Sequence, residues 1–131
     1  QEDQGGIDGQ SWIHGSTMYV NTNALLPKQV VILDMIGDAD LAIPQEGTST
    51  KALMDEIWNV ADELSYGEIF LPEQGQFILD DHSPFLWKQI PSIDIIDFDY
   101  QYWHTNEDTL DKVSAESLEI IKQVMLAWLN Q

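Results

Sequence analysis

Apolar positions along the chain follow two different rhythms. Gln29-Val30-Val31-Ile32-Leu33-Asp34-Met35-Ile36-Gly37 is a nearly unbroken aliphatic run closed by glycine, the pattern of a strand covered on both faces, and strands of that kind belong to parallel sheets. Ser92-Ile93-Asp94-Ile95-Ile96-Asp97-Phe98 is a second strand-like run. Between them Leu53, Ile57, Val60, Ala61 and Leu64 recur at helical spacing, which predicts a helix from about Lys51 to Leu64 capped by Ser49 or Thr50. Lys51, Asp55, Asn59, Asp62 and Glu63 then fall largely on its wet face. A last helix capped by Ser114 is predicted, with Leu118, Ile121, Val124, Met125 and Trp128 as its buried stripe.

Weaker signals fill the gaps. Ile69-Phe70-Leu71 and Phe77-Ile78-Leu79 read as short extended pieces around a turn at Pro72 and Gly75. Pro84 suits the first turn of a short helix through Phe85, Leu86 and Trp87, which Pro91 closes. Trp12 to Asn23 carries a faint helical pattern that Gly15 opposes, and it stays open. Asp99 to Lys112 reads as a polar and aromatic loop. Strand, helix, strand, helix in this order is an α/β fold, with no internal repeat and no low-complexity tract.

Composition narrows the function. A chain of 131 residues with 44% hydrophobic positions is enough for one core. Five basic against 23 acidic residues leave a formal charge of −18, which repels phosphate backbones and excludes nucleic acid as a partner. No apolar run approaches the roughly 20 residues of a membrane span. Without cysteine, any metal must be held by Asp, Glu or His. The opening Gln1-Glu2-Asp3-Gln4-Gly5-Gly6 shows neither a basic nor an apolar leader segment. An acidic, glycine-rich start with no strand before it reads as the middle of a longer protein.

Candidate chemistry gathers at strand ends. Asp34 lies near the carboxyl end of the most apolar strand, where an ionised side chain costs several kcal/mol unless it is paired or metal-bound. One reading makes it a carboxylate that caps the backbone of a neighbouring loop. The other places it in the crevice outside the strand ends, where parallel α/β sheets bind ligands. Asp80-Asp81-His82 and Tyr102-Trp103-His104-Thr105 follow two further apolar runs in the same sense, so three polar clusters are expected to converge. Asp81 or His82 as a cap for the helix begun by Pro84 is the plain alternative.

Taken together, Glu2-Asp3, Leu33-Asp34-Met35-Ile36-Gly37-Asp38, Asp80-Asp81-His82-Ser83-Pro84-Phe85-Leu86, Ile90-Pro91 through Ile96-Asp97, and Trp103-His104-Thr105-Asn106-Glu107-Asp108-Thr109 resemble the carboxyl-terminal half of the zinc-dependent aminopeptidase and glutaminyl cyclase family. The resemblance runs over essentially all 131 residues. It implies a three-layer α/β/α fold with a mixed, mostly parallel sheet, incomplete on its amino-terminal side, with residues 1–131 forming the later part of one catalytic domain. It implies Glu2 as general acid/base and Asp3 and His104 as zinc ligands. Asp34 would be a second-zinc ligand in the aminopeptidases or a buried hydrogen-bonding acid in the cyclases. Asp80 would belong to the same proton network, Trp103 would stand beside the substrate, and His82 would sit behind the site in a structural role. Substrates would be the amino termini of peptides or proteins, and the compartment secreted or periplasmic.

The cyclase branch is the closer likeness, through Asp80-Asp81-His82 with Pro84-Phe85 and through Trp103 before His104. A zinc aminopeptidase and a non-catalytic interaction domain or inactive fragment are the alternatives. The family's first metal ligand lies upstream of the Glu-Asp pair, so a missing upstream segment is expected to be required and the isolated chain is expected to be inactive.

Overall fold

A computed structural model describes Gly9 and residues 12–131. Among them are the helices α1 (His14–Thr22), α2 (Lys51–Glu63), α3 (Ser83–Trp87) and α4 (Ala115–Leu129) and the strands β1 (Val30–Asp34), β2 (Ile43–Gln45), β3 (Phe70–Gln74) and β4 (Ser92–Ile96), in the order α1-β1-β2-α2-β3-α3-β4-α4. Both strand pairings are parallel: β1 runs beside β4 with Asp34 opposite Ile96, and β2 runs beside β3. This is an α/β fold with parallel strands.

β4 is the buried axis of the molecule, shielded along its whole length. Its period-two alternation sends Ile93 and Ile95 into a core with Ile57, Val60, Ala61, Ile121 and Val124 of α2 and α4. Asp94 lies on the opposite face, within 3.6 Å of His82 at the start of α3. Helices therefore cover β4 on both faces, as the aliphatic pattern requires. One edge of β4 pairs with β1, and on the other Ser92 O accepts from Thr50 N at 2.8 Å.

Several expectations need correction. β1 is not covered on both faces: its residues are partly exposed, and Leu33 is 44% exposed. Thr50 stands at the start of α2 but makes no side-chain cap. Its hydroxyl accepts from Ser92 N, and the Ser49 hydroxyl accepts from Asp94 N, both at 3.0 Å. These two polar residues tie the helix start to β4, a long-range demand that outweighs local capping. Ser114 does cap α4, accepting from Glu116 N and Ser117 N. The buried stripe of α4 centres on Ile121 and Val124, whereas Leu118 is 48% exposed. Leu64 falls just past α2 and is also exposed. The extended piece at 69–71 becomes β3, while residues 77–79 form no strand. The open segment at 12–23 contains α1, and the loop before α4 includes a 3₁₀ turn, Leu110–Lys112.

Candidate active site

β1 and β4 end side by side at Asp34 and Ile96, and beyond those ends opens a cleft of about 550 Å³. Its polar lining includes Asp34, Asp80, Asp81 and His104, and its apolar wall includes Trp12, Phe98 and Trp103. The three polar clusters of the sequence thus meet at one place, outside the carboxyl ends of parallel strands. Glu2 and Asp3, assigned as acid/base and metal ligand by resemblance, lie outside the described residues.

Each side chain reaches the cleft for a local reason. Asp34 is the last residue of β1, and its Oδ1 accepts from the next backbone amide, Met35 N, at 2.8 Å. Met35 and His104 both adopt left-handed backbone (φ 50° and 58°), a conformation that costs a non-glycine residue free energy and that collects at functional sites. The Trp103 ring stacks on His104 with centroids 4.4 Å apart, and Phe98 meets Trp103 at 5.5 Å. Aromatic faces thereby hold the imidazole and the cleft wall together.

Asp80 does not cap α3, and neither Asp81 nor His82 does, because α3 has no side-chain cap. Asp80 Oδ1 accepts from Asp81 N. Burial pushes the Asp80 carboxyl above its usual range, the Asp81 amide opposes that rise, and the neighbouring charge of Asp34 adds to it. Asp81 Oδ1 is buried with no hydrogen-bond partner among the described residues.

Behind the cleft lies a buried polar set of which sequence reasoning named only His82. His82, Glu46 and Asp94 have almost no exposure. Nε2 of His82 is 2.6 Å from Thr48 Oγ1 and 3.4 Å from Glu46 Oε2, and Nδ1 is 3.6 Å from Asp94 Oδ2. Burial alone would raise the Glu46 carboxyl. Hydrogen bonds from His82, Ile78 N, Thr48 N and Ser49 outweigh burial and hold it down at about 2. Asp94 has no such donors: burial, then the charges of Asp80, Asp34, Glu46 and Asp81, push it up to about 8. The signal for Asp94 was present, since it interrupts an aliphatic strand just as Asp34 does.

Among the described residues no three His, Asp or Glu side chains gather as a metal-holding group. Imidazole and carboxylate on one cleft are nevertheless the donor chemistry zinc prefers. His104 and Asp34 are residues of that chemistry that line the cleft and could take part in such a set.

The family model described as Peptidase family M28 matches residues 2–129. The chain is similar to a solved glutaminyl cyclase of an Acidobacteriales bacterium, at 37% identity and a TM-score of 0.74, covering 79% of this chain and 38% of that one. It is also similar to a leucine aminopeptidase precursor from Bacteroides thetaiotaomicron, at 27% identity and TM-score 0.83, covering 88% and 43%. A Zn-dependent exopeptidase from Parabacteroides distasonis aligns at 28% identity and TM-score 0.79, covering 90% and 45%. The chain thus spans less than half the length of each of these structures. No curated protein matches it.

Proposed function

The chain belongs to peptidase family M28, and from that premise we propose that the whole protein is a zinc-dependent enzyme of peptide amino termini, a glutaminyl cyclase in preference to an aminopeptidase. The observation that carries the preference is Asp80, whose carboxyl lines a cleft walled by Trp12, Phe98 and Trp103 instead of capping α3. Ring closure needs a pocket that excludes water, whereas peptide hydrolysis needs water at the reacting carbonyl.

In the cyclase reaction the α-amine of an amino-terminal glutamine attacks its own side-chain Cδ. A new C–N bond forms, the old amide bond breaks, and ammonia leaves. Zinc, when bound, supplies Lewis-acid polarisation of that carbonyl, and Asp3 and His104 are the residues that would hold it. Glu2 takes the proton from the attacking amine and hands it to the departing nitrogen. Asp80, its carboxyl raised by burial and by the charge of Asp34 against the opposing Asp81 amide, faces the cleft where it would hydrogen-bond the reacting amide. Trp103 walls the ring-closing side chain. In an aminopeptidase Asp34 would be a second-zinc ligand, and the similarity to the leucine aminopeptidase precursor is what favours that second reading. No described helix is long and apolar enough to cross a membrane, and the family reading points to a secreted or periplasmic enzyme.

The test incubates the whole protein with glutaminyl and leucyl peptides and follows ammonia against free amino acid, with elemental analysis for zinc. Ammonia without free leucine is expected. Free leucine without ammonia moves the assignment to aminopeptidase. Asp80→Ala is expected to lower kcat by about a hundredfold while zinc content stays within error, the signature of a group acting in the reaction and not on the metal.

A further inference from the structure

Glu46 stands in the turn between β2 and α2, far in sequence from the Asp80-Asp81 pair, yet its buried carboxylate grips the chain on both sides of that pair. Ahead of it, Ile78 N donates to Glu46 Oε1 at 2.9 Å. Behind it, His82 Nε2 lies 3.4 Å from Glu46 Oε2 and 2.6 Å from the Thr48 hydroxyl. That hydroxyl in turn reaches the same carboxylate at 3.0 Å. The grip is itself held: Thr48 N and Ser49 N donate to Glu46 at 2.9 and 2.7 Å, and the Ser49 hydroxyl donates at 2.7 Å while accepting from Asp94 N of β4. Gly47 N, next along, donates to Gln76 O at 2.8 Å. Five donors on one carboxylate within the protein interior is far more than a turn needs to close.

We propose that Glu46 is a positioning residue for the cleft: with Thr48 and His82 it forms a buried clamp across residues 78–82 that holds Asp80 and Asp81 at the mouth of the strand ends. The clamp's effect on reaction rate rests on the reading of the cleft as the site of peptide amino-terminal chemistry. The physical logic is that a loop carboxylate serves in a reaction only if its placement is over-determined. Asp80 has little local support of its own, because its contacts within the turn are to Asp81 N and to Ser83. The low proton affinity of Glu46 accords with a carboxylate that stays ionised so that every donor remains engaged.

The test substitutes Glu46→Gln in the whole protein, which keeps the shape but removes the charge and turns one acceptor into a donor facing N–H groups. Amide hydrogen exchange is expected to speed up at residues 78–83 while β1 and β4 keep their protection. With peptide substrate, kcat is expected to fall by about tenfold to a hundredfold and KM to stay within about twofold, the pattern of lost placement in the transition state. Trp58→Phe is the comparator. It loses a buried hydrogen bond to Leu71 O without touching the clamp, and it should leave both readings unchanged. Unaltered exchange at 78–83, or faster exchange with unchanged kcat, overturns the clamp. So does an equal kcat loss in Trp58→Phe. If Glu46→Gln does not fold, Thr48→Val removes the hydroxyl between Glu46 and His82 without a charge change, and the same measurements decide. Should the wild-type protein turn over neither peptide, the reading of the reaction falls, and the exchange result alone supports or overturns the clamp.

Discussion

Asp94 and Glu46 sit on either side of one imidazole and respond to pH with opposite sign. The Thr48 hydroxyl gives its single proton to ionised Glu46, so His82 Nε2–H donates to Thr48 and the bare Nδ1 faces Asp94 Oδ2 at 3.6 Å, beyond hydrogen-bond reach. A raised carboxyl at Asp94, near 8, agrees with that arrangement. Between the ordinary aspartate value of 3.8 and about 8, the folded protein holds a proton that the unfolded chain has released, so this group lowers stability as pH rises through that window. Asp94→Asn cannot titrate. Its melting temperature relative to wild type is expected to improve from about pH 5 to about pH 8, and a difference that stays flat would refute the assignment. Glu46, held down at about 2, contributes stability that is lost only as pH falls toward that value. At this scale Asp34, Asp80 and His104 were legible because each follows an apolar run. Glu46 was not, since its partners Ile78 and His82 lie 32 and 36 residues away and nothing local marks it.

Elements were legible where one face is apolar over several turns, and obscure where tertiary bonds substitute for pattern. α2 and α4 followed their helical spacing, and β1 and β4 were found at their aliphatic runs. β2 escaped notice because Ile43-Pro44-Gln45 is three residues long and contains a proline, which an edge position tolerates. Two serines at helix starts show how far a cap differs from a tie. Ser114 is a local cap on α4, and where it is removed water replaces its bonds, so Ser114→Ala is expected to cost about 1 kcal/mol. Ser49 is buried and joins Glu46 to Asp94 N across 45 residues. Ser49→Ala takes the acceptor from the buried Asp94 amide and removes one of several donors from Glu46 Oε2, and is expected to cost about 2–3 kcal/mol. Denaturant unfolding of the two variants checks the order, and a larger loss for Ser114→Ala would show that Ser49 is not the junction described.

For the whole molecule, charge sets the terms. The parallel α/β architecture was legible from two aliphatic runs separated by an amphipathic helix, but the exposure of β1 was not, because covering a strand is a property of its neighbours and not of its residues. A formal charge of −18 spread over a molecule of this size repels itself. The opposing cations are few, and Lys51, Lys112 and Lys122 each pair with a nearby acid, Asp55, Asp111 and Glu119. Such exposed pairs contribute about 0–1 kcal/mol each, too little to offset the repulsion. The cleft concentrates acidic residues, with Asp34, Asp80 and Asp81 in its lining, a field that favours cations over anions. Added salt screens both effects, over a Debye length of about 10 Å at 0.1 M and about 3 Å at 1 M. Raising sodium chloride from low to molar concentration is therefore expected to raise the melting temperature, because the folded state loses more repulsion than the expanded one. On the proposed function, the same salt is expected to raise the whole protein's KM for a peptide with a free amino terminus by a few fold while kcat changes little, since screening acts on encounter and not on the groups that move protons. A melting temperature that falls with salt would mean that the surface ion pairs outweigh the net charge, and a KM indifferent to salt would mean that the cleft's carboxylates are neutralised before substrate arrives.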